Sequence, residues 1–211
     1  MNFLNLEPFF DIANFLHKAL WKEGLPVWSP LVTVNEYLHS LPLGKIDIEI
    51  PEGVFLQNRG QISIGKGTVI EPGVFIRGPC VIGENCKISH GAYLRGNVIL
   101  GEHCSVGHCA EIKHSILLDG AKVTHFVYVG DSIIGAGANL SAGVKCANLR
   151  LDRKEVRGTG LKKFGAIIGD RVQIGCNCVI NPGTFIEKDV ICYPLLAISG
   201  AILAGSLVKH V

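Results

Sequence analysis

The residues with the most chemistry in this chain fall close together: Arg95, Lys113, His125, Tyr128, Asn139 and Asn148, with Lys154 a little further on. An arginine offers a bidentate fork to a phosphate, and a lysine offers a point charge. Arg95 and Lys113 therefore suit a phosphate if the fold sets them side by side; otherwise they are two solvated cations. Histidine is the usual general base near neutral pH, although a histidine taken alone is more often structural. Asn139 and Asn148 are neutral groups suited to sugar hydroxyls or a carbonyl.

What would position them is a repeat. Every sixth residue from Ile64 is aliphatic: Ile64, Ile70, Ile76, Ile82, Ile88, Leu94, Leu100, Val106, Ile112 and Leu118. A helix repeats its apolar residues at three and four, and a strand at two. A strict six fits a stack of short strands, each giving one large side chain to a shared interior before a corner, which is the hexapeptide β-helix pattern. An antiparallel sandwich with glycine-rich turns is the alternative. Three hexads make one triangular coil, so residues eighteen apart stack. Arg95 and Lys113 are eighteen apart, which predicts a paired cationic site on one face. His125 lies about one coil further on, where the frame slips. Thr124 still falls at the marked position, and the pattern resumes two residues out of phase at Tyr128, Ile134, Leu140 and Cys146. Function is expected where such a rule breaks.

The chain has 211 residues and a net charge of +2, so it offers no broad basic field for nucleic acid. Its eight cysteines form no C-x-x-C pair. They read as reduced, small apolar fillers rather than disulfides, which suits a cytoplasmic protein. No apolar run reaches the ~20 residues of a membrane span, and no signal peptide is expected.

Residues 1–45 read as a helical arm or cap, and 46–211 as the coil domain. A short amphipathic helix is predicted over 8–21, with Phe9, Ile12, Leu16, Ala19 and Leu20 on one face. A second is predicted over 32–40, with Thr33 as a cap. The arm's aromatics must be covered, by the first coil or by a neighbouring subunit. Residues 147–166 lack hexads and carry Arg150, Asp152, Arg153, Lys154, Glu155 and Arg157, so they read as a charged loop thrown out of the stack. The tail from Pro194 loses the frame and reads as one irregular strand plus a terminal segment. A stack this thin has little interior, which favours a trimer of prisms.

The stretches 110–115, 122–131 and 134–143 contain an H-x-x-Y-x-G-D element followed by I-G-A-G-x-N. They resemble the acetyltransferase domain of the bifunctional N-acetylglucosamine-1-phosphate uridyltransferase/glucosamine-1-phosphate acetyltransferase family. Residues 147–156 and 163–170 are more similar to its archaeal-type sugar-phosphate nucleotidyltransferase/acetyltransferase relatives. The similarity spans about Arg95 to Ile186. It implies an all-β, left-handed parallel β-helix and a homotrimer. It implies an N-acetyltransferase moving acetyl from acetyl-CoA to the 2-amino group of a hexosamine-1-phosphate, glucosamine-1-phosphate first, with no metal required. On that resemblance His125 is the general base. Arg95 and Lys113, with Lys154, hold the 1-phosphate. Tyr128, Asn139 and Asn148 orient the sugar. The backbone amide near Ala142 meets the oxyanion, and acetyl-CoA lies between two prisms near Cys176.

The chain departs from the family pattern at Leu149, where the family has tyrosine, and at Cys176, where it has serine. The altered tail puts coenzyme A binding in question. No G-x-G-T-R loop occurs in these residues, so uridyl transfer is not expected of this chain. Two rival readings remain. One is a non-catalytic trimeric sugar-phosphate binder, or a subunit docking a separate nucleotidyltransferase through the aromatic arm. The other is a zinc enzyme like the γ-class carbonic anhydrases, with His90, His103 and His108 as ligands and Leu94-Arg95-Gly96-Asn97 resembling that family's L-R-G-D.

Overall fold

The computed structural model describes residues 3–156 and 158–210; Arg157, read as part of the charged loop, lies outside them. The chain winds into a left-handed parallel β-helix with three eight-stranded parallel sheets. The first face runs from Phe55–Gln57 through Tyr93–Leu94, Glu111–Lys113 and Tyr128–Gly130 to Ala197–Ile198. The second runs from Ile62–Ile64 to Ala201–Ile202, and the third from Val69–Ile70 to Leu207–Val208. Inside the second face Ile64, Ile82, Leu100, Leu117, Ile134, Ile168, Ile186 and Ile202 stack rung on rung. Each strand of this face points one such aliphatic inward, and neighbouring rungs lie about 4.8 Å apart, so the branched side chains form a continuous ladder.

The ladder corrects the expected register. Leu100 pairs with Leu117, not Leu118. Leu118 is buried instead among the residues covered by the N-terminal arm. The frame loses one residue between Ile112 and Leu117 and another between Val129 and Ile134, and these two losses sum to the two-residue phase change. Val129, not Tyr128, points inward. Both shortenings fall at the corner between the first and second faces. Glycine follows several of the inward residues, as at Gly65, Gly83 and Gly101. Gly83 has no left-handed φ; a side chain there would lie 2.6 Å from the Gly101 carbonyl oxygen of the next rung. Close approach of rungs, not backbone angle, demands glycine at this position.

The tail is regular. Ala197–Ile198, Ala201–Ile202 and Leu207–Val208 each extend one face and complete a last rung. The pattern is hidden in the sequence because the rung is shortened at the corner holding Gly200, whose φ is +79°.

The arm differs most from expectation. No α-helix forms over 8–21; the segment is a series of turns with one 3₁₀ turn at Lys18–Leu20. Leu16, expected on the apolar face, is 76% exposed, whereas Phe9, Phe10 and Phe15 are buried. The solenoid takes the backbone bonds a helix would have used. Asp170 N–H donates to the Phe9 carbonyl at 2.8 Å, Lys188 N–H to the Pro8 carbonyl at 2.9 Å, and Asp11 N–H to the Asp170 carboxylate at 2.7 Å. The one α-helix among the described residues, Ser29–Ser40, starts three residues earlier than expected. Pro30 occupies its first turn, and Thr33 lies inside it rather than at its cap. Arm and helix lie along the outer side of the second face, over Val81, Ile99, Ile116, Ile133, Ile167 and Phe185. Six apolar side chains in a row would otherwise face water.

Beneath the arm lies a cavity of about 420 Å³, lined by Asn14, Leu16 and His17 on one side and Val81, Glu84 and Glu102 on the other. His17 is 6% exposed, and its Nδ1 bonds the Tyr37 hydroxyl at 2.9 Å. Burial pushes its imidazole down to about 4, whereas the unfolded chain protonates it near 6.5. Between those values the unfolded state binds more protons, so this contribution to stability is complete above pH ~6.5 and is lost as pH falls toward ~4. The loss amounts to roughly 3 kcal/mol. Urea titrations of wild type and His17→Gln across that window should show the wild type alone losing stability on acidification; equal slopes would refute the assignment.

Buried thiols behave as fillers. Burial pushes Cys80 well up and holds Cys146 and Cys192 at about 12, so they stay protonated. All eight cysteines are free.

Candidate active site

Two sets of residues are assembled on adjoining parts of the first face. One is at its leading corner, where the chain arrives from the third face. His90, His108, His125, Ala142 and Cys176 stack there, one per rung. The next residue in each rung has a left-handed φ, including Gly91, Cys109, Phe126, Gly143 and Asn177. Its amide bonds the rung below, as in Phe126 N–H to the His108 carbonyl, Gly143 N–H to His125 and Asn177 N–H to Ala142. Phe126 holds φ +56° with a bulky, 57% exposed side chain, a conformation that costs about 1–2 kcal/mol. This strained corner sets where His125 points.

The rings of His90 and His108 stack at 5.6 Å. Each bonds through Nδ1 to the carbonyl of the rung below, at 2.6 and 2.9 Å. A carbonyl only accepts, so both carry a proton on Nδ1, and His108 Nε2 lies 3.4 Å from Cys109 Sγ. His125 is exposed, and its ring has no hydrogen-bond partner among the described residues. It is open to a substrate. The Ala142 N–H likewise has no protein acceptor among the described residues, which leaves it free to meet an oxyanion.

The second set lies across the face. Glu111 stacks on Tyr93 and under Tyr128, and Arg95 and Lys113 occupy adjacent rungs of the neighbouring outward column, as the eighteen-residue spacing requires. They are not bare cations. Arg95 Nη1 donates to Glu111 Oε1 at 2.6 Å, and Lys113 Nζ to Asp131 Oδ2 at 2.8 Å. The four charges cancel. The bond to Glu111 raises the Arg95 guanidinium further above its ordinary value. Asn148 Nδ2 also donates to Asp131 Oδ2. Gly130 leaves room for this convergence: a side chain there would lie 2.5 Å from the Tyr128 hydroxyl and 2.8 Å from Asn148 Nδ2. Burial, then the nearby charges of Asp131 and Glu111, push the Tyr128 hydroxyl up, so it stays a neutral donor.

The structure thus brings Arg95, Lys113, Tyr128 and Asn148 together, and stacks His125, Ala142 and Cys176. His125 and Tyr128 are three residues apart on one rung, at most about 10 Å between Cα atoms. Two expected residues stand elsewhere. Asn139 faces outward on the third face, stacked between Lys122 and Gln173. Lys154 lies out on the excursion, in an open cleft of about 670 Å³ that it lines with Arg150, Arg153 and Lys162. The excursion is closed by antiparallel bridges Leu149–Lys163 and Val156–Leu161.

Sequence reasoning passed over Glu111 and Asp131. The spacing rule marks neither: the shortened rung stacks Lys113 on Gly130, one residue short of Asp131, and Glu111 is sixteen residues from Arg95. The zinc alternative has no geometry to support it. His103 sits at the corner between the second and third faces, its amide bonded to Glu84, away from the His90–His108 stack. No group of three metal-ligating side chains occurs among the described residues.

This is a hexapeptide-type β-helix, and solved structures of that class share its fold. An Arabidopsis UDP-N-acetylglucosamine acyltransferase matches with a TM-score of 0.57 and 13% identity over 72% of this chain and 62% of that one. A UDP-N-acetylglucosamine acyltransferase from Bacteroides fragilis matches at 0.52 and 18% over 76% and 67%. The profile of the GMPPB C-terminal domain matches residues 76–161. The sequence is 37% identical over 103 residues to a bifunctional sugar-1-phosphate nucleotidylyltransferase/acetyltransferase of Sulfurisphaera tokodaii, covering 45% of this chain and 26% of that protein. It is 36% identical over 179 residues to a bifunctional protein GlmU of Methanococcus maripaludis, covering 82% and 43%. The chain spans less than half the length of either relative. The resemblance read from the motifs is borne out by these archaeal proteins.

Proposed function

We propose that this chain is an acyltransferase that moves acetyl from acetyl-CoA to the 2-amino group of a hexosamine-1-phosphate, with glucosamine-1-phosphate as first choice. The observation that carries the reading is the single column holding His125, Ala142 and Cys176 beside a face bearing Lys113, Tyr128 and Asn148. His125 takes a proton from the amine. The amine nitrogen attacks the thioester carbonyl, and the Ala142 amide meets the oxyanion. The C–S bond then breaks, and the proton leaves with the coenzyme A thiol. Arg95 and Lys113 receive the 1-phosphate, and Tyr128 and Asn148 orient the sugar. Coenzyme A lies along the Cys176 side, where the completed last rung supplies the coil that the tail's sequence hides. The names of the archaeal relatives support this reading.

The working unit is a homotrimer. One prism leaves His125, Asn139 and Lys154 apart, and neighbouring prisms would close the groove. Sedimentation should give a mass near three times the chain's 22.7 kDa; a monomer would remove the groove. Phe9, Phe10, Phe15 and Trp28 of the arm are buried against the chain's own second face, whereas Phe3 and Trp21 are only partly covered, so docking of a separate nucleotidyltransferase through the arm would use the latter. No helix among the described residues is long and apolar enough to cross a membrane. The decisive assay measures free thiol from acetyl-CoA with glucosamine-1-phosphate or galactosamine-1-phosphate. Amine-dependent thiol release is expected, and release no faster than thioester hydrolysis with both sugars would end the proposal.

A further inference from the structure

We infer that Asp131 is a positioning residue: its carboxylate clamps Lys113 and Asn148 together and so holds the substrate-facing groups of the first face in one arrangement. Its kinetic consequence rests on the acetyl-transfer reading above; the clamp itself does not.

Asp131 is 5% exposed and lies at one of the two shortened corners. A single oxygen, Oδ2, accepts from Lys113 Nζ at 2.8 Å and from Asn148 Nδ2. These donors come from the rungs on either side, so the carboxylate bridges three successive rungs. Its own backbone is held as well. Asp131 N–H donates to the Lys113 carbonyl at 3.0 Å, and its carbonyl accepts from Gly165 N–H at 2.8 Å. Phe164 N–H donates to the Asn148 carbonyl at 3.0 Å, so the root of the excursion closes directly above the clamp. Phe164 is in turn buried against Trp28 and Phe185, with ring centroids 6.1 and 5.5 Å away. The carboxylate thus has no freedom to follow a moving lysine; the lysine must stay with it. A buried charge that loses its partner is strongly destabilised, so the Lys113 ammonium keeps this position when the site is empty. Through Asn148 the clamp reaches the Tyr128 hydroxyl over Gly130.

Asparagine is the clean substitution. The φ of Asp131 is +47°, a region that Asp and Asn tolerate better than most residues. Asp131→Asn keeps the shape and removes the charge. Losing the clamp disorders Lys113 and Asn148, while losing a negative charge eases binding of an anionic phosphate. The expected kinetic result is a fall in kcat of about thirtyfold or more, with KM for glucosamine-1-phosphate changed by less than about threefold. The exchange Asp131→Asn with Asn148→Asp restores a carboxylate within reach of the lysine and should recover at least about tenfold in kcat. A merely structural role would lower active protein without this split or this rescue. Independently of turnover, Lys113 should react with an N-hydroxysuccinimide ester about fivefold faster in Asp131→Asn, as followed by peptide mass spectrometry. Lys145, bonded to the Phe126 and Gly143 carbonyls, serves as the internal standard and should not change. Unchanged Lys113 labelling overturns the clamp. Faster labelling with kcat within threefold of wild type, or an exchange variant no better than the single one, overturns the positioning role. A wild type without turnover defeats the acetyl-transfer reading alone, and the labelling result still decides the clamp.

Discussion

Replacing His125 with alanine is expected to cut amine-dependent thiol release by about 10²–10⁴-fold, the usual contribution of a positioned general base, while leaving KM for the sugar phosphate within a few-fold. The side chain is exposed and has no protein hydrogen bond among the described residues, so its removal breaks nothing that holds the fold. The Phe126 turn that aims it depends on the His108 carbonyl and not on the imidazole. Stability should therefore stay within about 0.5 kcal/mol of wild type, as for other surface substitutions. This combination separates His125 from His108, whose ring is tied to the His90 carbonyl at 2.9 Å and packs edge-on against Phe126 at 5.2 Å. Thiol release in His125→Ala at the wild-type rate would leave the proposed reaction without a base.

The largest stability effect is expected at Phe9. Its side chain is fully buried, with Phe10 and Phe185 rings at 6.2 and 6.4 Å. Truncating a buried phenylalanine to alanine costs about 3–5 kcal/mol, a large part of the 5–15 kcal/mol that holds a typical domain together. Here the loss should be local first. Phe9 and Pro8 give their carbonyls to the Asp170 and Lys188 amides, so Phe9→Ala should loosen the arm from the second face before the solenoid melts. Hydrogen exchange should show those two amides losing protection at denaturant concentrations where the Ile134 and Ile168 rungs remain protected. Exposure of the Ile133, Ile167 and Phe185 column should then promote aggregation. Retained protection at Asp170 and Lys188 would mean that the arm is not held by its aromatics.

The solenoid was legible because its interior repeats at one spacing and each hit is a large aliphatic. The stacking of Arg95 on Lys113 followed from the same count. The two one-residue losses were visible only as their sum, since shortening a corner moves every later residue without marking where it occurred. The last rung escaped notice for the same reason, being shortened at Gly200. The carboxylates were not legible from the count: Glu111 is sixteen residues from Arg95, and the shortened rung puts Gly130, not Asp131, opposite Lys113.

The arm shows the opposite case. Its apolar residues matched a helical stripe, yet Asp170 and Lys188, more than 150 residues away in sequence, supplied the partners that decided its backbone. The amino-acid order alone determined a six-residue period, hence parallel rungs, a shared aliphatic interior and the face on which Arg95 and Lys113 stand. The tertiary structure decided which residue met which carboxylate, where His125 was aimed and what covered the second face. A repeat is written in neighbours at constant spacing, whereas an ion pair or a docked arm depends on side chains and carbonyls that only the finished winding brings within bonding distance.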